Sequence, residues 1–215
     1  MPAYEAYVRQ GGEIALQEME EFFMQTGKVH QTLRELVKHL NEAGIPYAVL
    51  GAIAMGEHGF TRATVDVDVL LTPQGLEDFK ARFLGLGYVP AFPGAKKAIR
   101  ATETGVRIDF ILTGEYPGDG LPKPVRFPNP AEASQEIRGT SVLKLERLVE
   151  LKLASGMTAE HRLHDLSDVL RLIRELRLPV EFATRLDASV QPTFQDLWRK
   201  AQTAEKVSED EPPGA

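Results

Sequence analysis

The run TRATVDVDVLLT, Thr61 to Thr72, has the alternation of a half-buried strand yet carries two aspartates on one face. Strand side chains alternate with period two, so Val65, Val67 and Val69 point one way and Asp66 and Asp68 the other. Two carboxylates that close repel, and burying them unpaired is costly. Something positive has to lie among them: an arginine, a lysine or a divalent cation. The alternative is an edge strand whose acidic face is simply solvated.

A second strand of the same kind is VRIDFIL, Val106 to Leu112. Val106, Ile108, Phe110 and Leu112 share one face, while Arg107, Asp109 and Ile111 share the other. Three aspartates on neighbouring strands form a hard, oxygen-only donor set suited to Mg²⁺. Two such ions ~3.5–4 Å apart can clamp the attacking and leaving oxygens of a phosphoryl or nucleotidyl transfer. Upstream, YAVLG (47–51) reads as a short buried strand ending in a glycine. The Gly- and Ala-rich GAIAMGEHGFTRAT that follows should open a turn or helix whose free amides can hold phosphate. Gly51 there permits close approach of a triphosphate.

Working outward, Val29, Leu33, Leu36, Val37 and Leu40 make one apolar helix stripe, stopped by Gly44 and Pro46. TPQGLEDFKARFLGLGY reads as a helix with Thr72 as N-cap, Pro73 at the first position and a stripe of Leu76, Phe79, Phe83 and Leu86. KAIRATETGVRIDFIL is a hairpin turning at Gly105. The Gly/Pro-dense TGEYPGDGLPKPVRFPNP is the expected boundary. Beyond it TSVLKLERLVELKLASG and AEHRLHDLSDVLRLIRELRLP read as helices. The expected fold is α/β (α+β), a mixed sheet flanked by helices with a helical C-terminal half. Its expected parts are a helical extension (1–27), a catalytic core (28–128), a helical region (129–200) and a disordered acidic tail (201–215).

Composition narrows the class little. The chain has 215 residues, no cysteine and a net charge of −6, so disulfides and thiolate metal sites are excluded. Residues 1–27 carry −4 and residues 205–215 carry −3, leaving the body near neutral at +1. Such a body can still bind phosphates through local basic clusters. Lys96, Lys97 and Arg100 form one cluster and Arg171, Arg174 and Arg177 another, each of which also reads as a solvated face. The acidic start lacks a secretory pattern and no apolar run approaches the ~20 residues of a membrane span. The expectation is a cytoplasmic protein with no membrane partner.

A strand ending in Gly and a small residue, then Asp-x-Asp on a strand, then a lone Asp on a later strand, resembles the nucleotidyltransferase superfamily with the DNA polymerase β-like fold. Here these read Gly51-Ala52, Asp66-Val67-Asp68 and Asp109. The pattern resembles in particular the branch of AbiEii-type abortive-infection toxins. That branch adds a lysine in a downstream helix and an Asp-x-x-Asp in the next, here Lys152 in LVELKLASG and Asp165 with Asp168 in HRLHDLSDV. The resemblance covers roughly residues 30–175. Two departures are Ala52, where the family has Gly or Ser, and His164, where the branch often has lysine.

The resemblance implies a Mg²⁺-dependent transfer of a nucleoside monophosphate from an NTP to an acceptor hydroxyl. Asp66 and Asp68 would hold both metals and Asp109 would complete the nucleophile-side one. Gly51 and Ala52 amides would cradle phosphates, joined by Lys152 and Arg62, with Asp165 as an accessory group. The acceptor would be tRNA, with the chain as toxin of a type IV pair and a cognate antitoxin as partner, or a small hydroxylated antibiotic. A silent nucleotide sensor, suggested by Ala52, is the third reading. Read from the residues alone, Lys152 lies inward on its helix and needs an anion, a carboxylate or a phosphate, unless it snorkels to solvent. Arg62 either touches a phosphate or the aspartates, or salt-bridges its loop, and His58 reads as loop structure.

Overall fold

A computed structural model of the chain describes residues 3–209, the last six of these by backbone alone. It divides into two compact units. The first comprises the chain up to Glu57, Thr61–Gly114 and Pro128–Leu143; the second comprises His58–Phe60, Glu115–Phe127 and the chain from Lys144.

In the first unit, helices α1 (Tyr4–Val8), α2 (Gly12–Phe23) and α3 (Lys28–Glu42) precede strand β1 (Tyr47–Val49). Helix α4 (Gly51–Glu57), strand β2 (Asp66–Leu71) and helix α5 (Pro73–Phe83) follow. Strands β3 (Tyr88–Pro90), β4 (Ala98–Ala101) and β5 (Arg107–Leu112) then lead to the short helix α6 (Pro130–Ala133) and the hairpin β6 (Ser134–Ile137) and β7 (Thr140–Leu143). The seven strands form one mixed sheet in the order β3-β4-β5-β2-β1-β7-β6, as the α/β expectation requires. β5 runs parallel to β2 and β7 parallel to β1; the other pairs are antiparallel.

The apolar stripe of α3 is buried along its whole length, with Val29, Leu33, Leu36, Val37 and Leu40 inside the core. It packs with Val67, Val69 and Leu71 of β2 and with Ile108 and Phe110 of β5. Tyr4 and Phe22 join the same core, so residues 3–27 belong to the unit rather than extending from it. Glu18, buried on α2, is reached by Tyr4 Oη at 2.9 Å and by Lys28 Nζ. On α5, the Thr72 hydroxyl accepts from Gly75 N at 3.0 Å, the cap that the sequence predicts.

Four expectations change. Helix α5 stops at Phe83, because Gly85 and Gly87 both take positive φ, and Leu86 is exposed rather than in the stripe. The segment before Leu145 is not helical: Thr140–Leu143 forms β7 and completes the sheet beside β1. The core therefore runs past residue 128 and takes in Pro128–Leu143. Ala201–Glu209 continues a helix where a disordered tail was expected, and 210–215 lie outside the described residues.

The second unit is helical: α7 (Leu145–Thr158), a 3-10 turn (Glu160–Arg162), α8 (Leu163–Glu175), a second 3-10 turn (Val180–Arg185) and α9 (Gln191–Glu209). Gly156 lets α7 and α8 approach, since a Cβ there would come within 2.6 Å of Leu166 Cγ. Trp198 donates its indole N–H to the Leu178 carbonyl at 2.9 Å, tying α9 to the chain after α8. Among the described residues no helix is long and apolar enough to cross a membrane.

Candidate functional site

The parallel pairing of β2 with β5 sets the site. Asp66 is the cross-strand partner of Arg107, and Asp68 the partner of Asp109. Parallel partners project to the same side, so all four share one face, opposite the core-facing Val67, Val69, Ile108 and Phe110. The four charged residues are half-buried while the valines, Ile108 and Phe110 are fully buried.

Gly51 completes the cluster. Its φ is +67°, a left-handed conformation, and a Cβ on it would lie 2.1 Å from Asp68 Oδ2. The glycine is thus needed twice, for its dihedral and for the carboxylate pressed against it. Leu50 N donates to the Asp68 carbonyl at 3.1 Å, fixing the approach of β1 to β2. Ala52 is buried in the first turn of α4. Arg62 is half-buried on the irregular connection before β2, and Thr64 on that connection donates its hydroxyl to Asp66 Oδ1.

A positive group for Asp109 is supplied by Arg107. Its Nε and Nη2 donate to Asp109 Oδ1 at 3.0 and 2.7 Å. Burial pushes the Asp109 carboxyl up; Arg107 pulls it back, Asp66 and Glu5 push it up again, and the net direction is upward. The Arg107 guanidinium is raised in turn, chiefly by its hydrogen bonds to Asp109. On the next strand Arg100, the cross-strand partner of Arg107, donates to Glu5 of α1 at 2.8 Å. Two neighbouring guanidiniums are therefore matched to two different carboxylates. Sequence reasoning did not single out Arg107, although the pattern Arg-x-Asp on one strand places both on the same face.

Lys152 and Asp165 belong to the second unit, where they bind each other. Lys152 Nζ donates to Asp165 Oδ1 and to Asp168 Oδ2, both at 2.8 Å, and Ser155 Oγ donates to Asp165 Oδ2 at 2.7 Å. All three charged side chains are nearly sealed, at 8%, 7% and 8% exposure. The inward lysine thus has its anion in two carboxylates, and Asp165 and Asp168 lie buried rather than on a solvated face. Burial pushes the Asp165 carboxyl up, but the charge and hydrogen bonds of Lys152, with help from Ser155 and Arg162, outweigh it and hold the group below its ordinary range.

Asp66, Asp68 and Asp109 fit a hard divalent cation in kind, being carboxylates gathered on one half-buried face. In placement the fit is partial. Asp109 is bonded to Arg107, and among the described residues no group of three or more His, Asp or Glu is close enough to hold a metal ion.

No protein-family model matches the chain, and no curated protein matches it. Solved structures resemble it at the level of architecture. JHP933 from Helicobacter pylori is 17% identical, with 92% of this chain and 94% of that one covered at a TM-score of 0.44. TM1012 from Thermotoga maritima, described as a candidate nucleotidyltransferase, is 16% identical over 66% of this chain and 91% of its own at 0.45. ANT(2'')-Ia in complex with adenylyl-2''-tobramycin is 12% identical over 79% and 96% at 0.47. Values this low assign neither an activity nor a branch of a family.

Proposed function

We propose that the chain is a divalent-metal-dependent nucleotidyltransferase that moves a nucleoside monophosphate from an NTP to an acceptor hydroxyl. The observation that carries this reading is the register of β2 on β5, which sets Asp68 beside Asp109 on one face with Asp66, while Gly51 lies against Asp68. Asp66 and Asp68 interrupt a strand whose other residues, Val67, Val69, Leu70 and Leu71, are fully buried, and carboxylates so placed mark a functional-site candidate.

In this mechanism Asp66 and Asp68 hold the cation-bearing triphosphate, and the Gly51 and Ala52 amides receive its outer phosphates. Arg62 adds charge at the same end. Asp66 and Asp68, with Asp109, are the residues that would hold a divalent cation such as Mg²⁺, which when bound would neutralise phosphate charge and polarise the reacting oxygens. Asp109 takes the proton of the acceptor hydroxyl. That oxygen bonds to the α-phosphorus as the α–β anhydride bond breaks, and pyrophosphate leaves with the electron pair. Lys152 and Asp165 act here through the α7–α8 contact that they hold, rather than on phosphate.

The finer reading, a type IV toxin modifying tRNA and restrained by an antitoxin, rests on the AbiEii-like spacing of Lys152, Asp165 and Asp168. A small hydroxylated antibiotic as acceptor suits the near-neutral body of the chain. A catalytically silent nucleotide sensor is favoured by one observation, the engagement of Asp109 by Arg107.

Incubation with each α-32P-labelled NTP and Mg²⁺, beside an Asp66→Asn/Asp68→Asn control, separates the three. Label on total bacterial tRNA that vanishes in the control supports the toxin reading. Label on hydroxylated antibiotics supports the second. Tight NTP binding with no label on either acceptor supports the sensor and contradicts turnover.

A further inference from the structure

Two exposed apolar faces of the first unit carry opposite charge. On α2, Leu16, Met19 and Phe23 recur at the i, i+3, i+7 spacing of one helix stripe, with Met24 at its end, and all four are 45–74% exposed. Glu13 and Glu20, one above the other on the helix, run along a flank of that stripe and are exposed as well. Residues 12–24 hold four acidic residues and no basic one. The second face follows β3, the outermost strand of the sheet, where Leu84, Leu86, Val89 and Phe92 are 39–73% exposed. Residues 79–102 hold five basic residues and no acidic one. Lys80 is paired with Glu77 and Arg100 with Glu5, while Lys96 and Arg82, which donates to the Ala43 carbonyl, are exposed. The faces border opposite ends of α3: Phe22 packs against His30 near its start, and Phe83 and Tyr88 against His39 near its end.

We infer that the acidic stripe of α2 docks on the basic β3 face of a second copy of this chain. Pairing α2 with α2, or β3 with β3, would set like charges against each other, which costs binding. The crossed pairing instead brings Glu13 and Glu20 to Arg82 and Lys96. Four apolar side chains make a patch of a few hundred Å², short of the roughly 800 Å² per partner of a stable interface. A two-fold axis uses the crossed contact twice, α2 on β3 and β3 on α2, and closes the assembly as a dimer. Two of the four stripe residues are methionines, whose flexible side chains adapt to an irregular surface. Pro90 lies within β3, so the contact is made by side chains rather than by adding a strand to the sheet edge.

Sedimentation equilibrium of the full chain tests this. The wild type should be a dimer whose dissociation constant rises about tenfold between about 0.05 M and about 0.5 M NaCl. Glu13→Lys/Glu20→Lys and Arg82→Glu/Lys96→Glu should each dissociate at least about tenfold more readily, because each sets like charges across both contacts. Mixed in equal amounts, the two variants should pair again, since both contacts between them regain opposite charge. Leu16→Gln leaves every charge in place and should also weaken the dimer, which reads the interface should a charge variant fold poorly. A monomeric wild type overturns the inference. So does a dimer indifferent to both charge variants, a mixture that does not pair, or a Leu16→Gln protein that pairs as the wild type does. A mass that climbs past the dimer with concentration overturns the two-fold closure.

Discussion

Gly51→Ala gives the most specific test of how the site is built. Alanine at φ +67° is strained, at about 1–2 kcal/mol for an L residue held in the left-handed region. Its Cβ would start 2.1 Å from Asp68 Oδ2, and real Cβ contacts stay beyond 3.0 Å, so the carboxylate must retreat by about 1 Å. The end of an aspartate moves at little cost in stability, which leaves the backbone term as the whole loss. The functional cost is larger, because displacing a positioned group by 1 Å can lower a rate about 100-fold. Urea unfolding should show a loss of about 1–2 kcal/mol, while Mg²⁺-dependent NTP turnover falls about 100-fold. A Gly51→Ala protein as stable and as active as the wild type would refute both the left-handed turn and the contact with Asp68.

Lys152→Met leaves Asp165 and Asp168 buried without their cation, and should cost about 3–5 kcal/mol in urea unfolding; a loss under 1 kcal/mol would mean that the triad is hydrated. Asp165 sits below its ordinary pKa, so its contribution is complete above about pH 4 and is lost as pH falls through the folded value. Unfolding midpoints measured from pH 5 to 2 should fall less in an Asp165→Asn protein. His30 packs at a tilt against Phe22, with ring centroids 4.7 Å apart, and burial, with Arg34 and Arg138, lowers its pKa against the pull of Glu57. The folded ring therefore resists protonation, its contribution is complete above pH 6.5 and declines below it, and His30→Phe should flatten the loss between pH 7.5 and 5.5. Thr72→Ala removes the cap of α5 and should cost about 1 kcal/mol of stability in the same assay.

Elements with long, one-sided patterns were legible in the sequence. The α3 stripe, the β2 alternation and the β4–β5 hairpin around Gly105 each declare a buried face through several residues. β7 was not legible, because Val142 and Leu143 run directly into the apolar start of α7 and four residues cannot separate period two from period 3.6. β3 spans three residues and is specified by its pairing with β4 rather than by its own pattern. At the site, alternation alone groups Asp66 with Asp68 and Arg107 with Asp109, while the sharing of one face by the two pairs depends on the parallel register of β2 on β5, which the sequence does not declare. Which carboxylate Arg107 chooses is not declared either, since that depends on Arg100 being taken by a glutamate 95 positions away. The same limit hid the partners of Lys152, which lie one helix further along the chain.

Isothermal titration of an NTP with and without Mg²⁺, on wild type, Asp66→Asn and Asp68→Asn, tests the central claim without knowledge of the acceptor. The account predicts binding by the wild type only with Mg²⁺, and its loss in both variants while their circular dichroism is unchanged. Binding that ignores Mg²⁺ or survives in either folded variant would contradict it, as would a wild-type protein that binds no NTP.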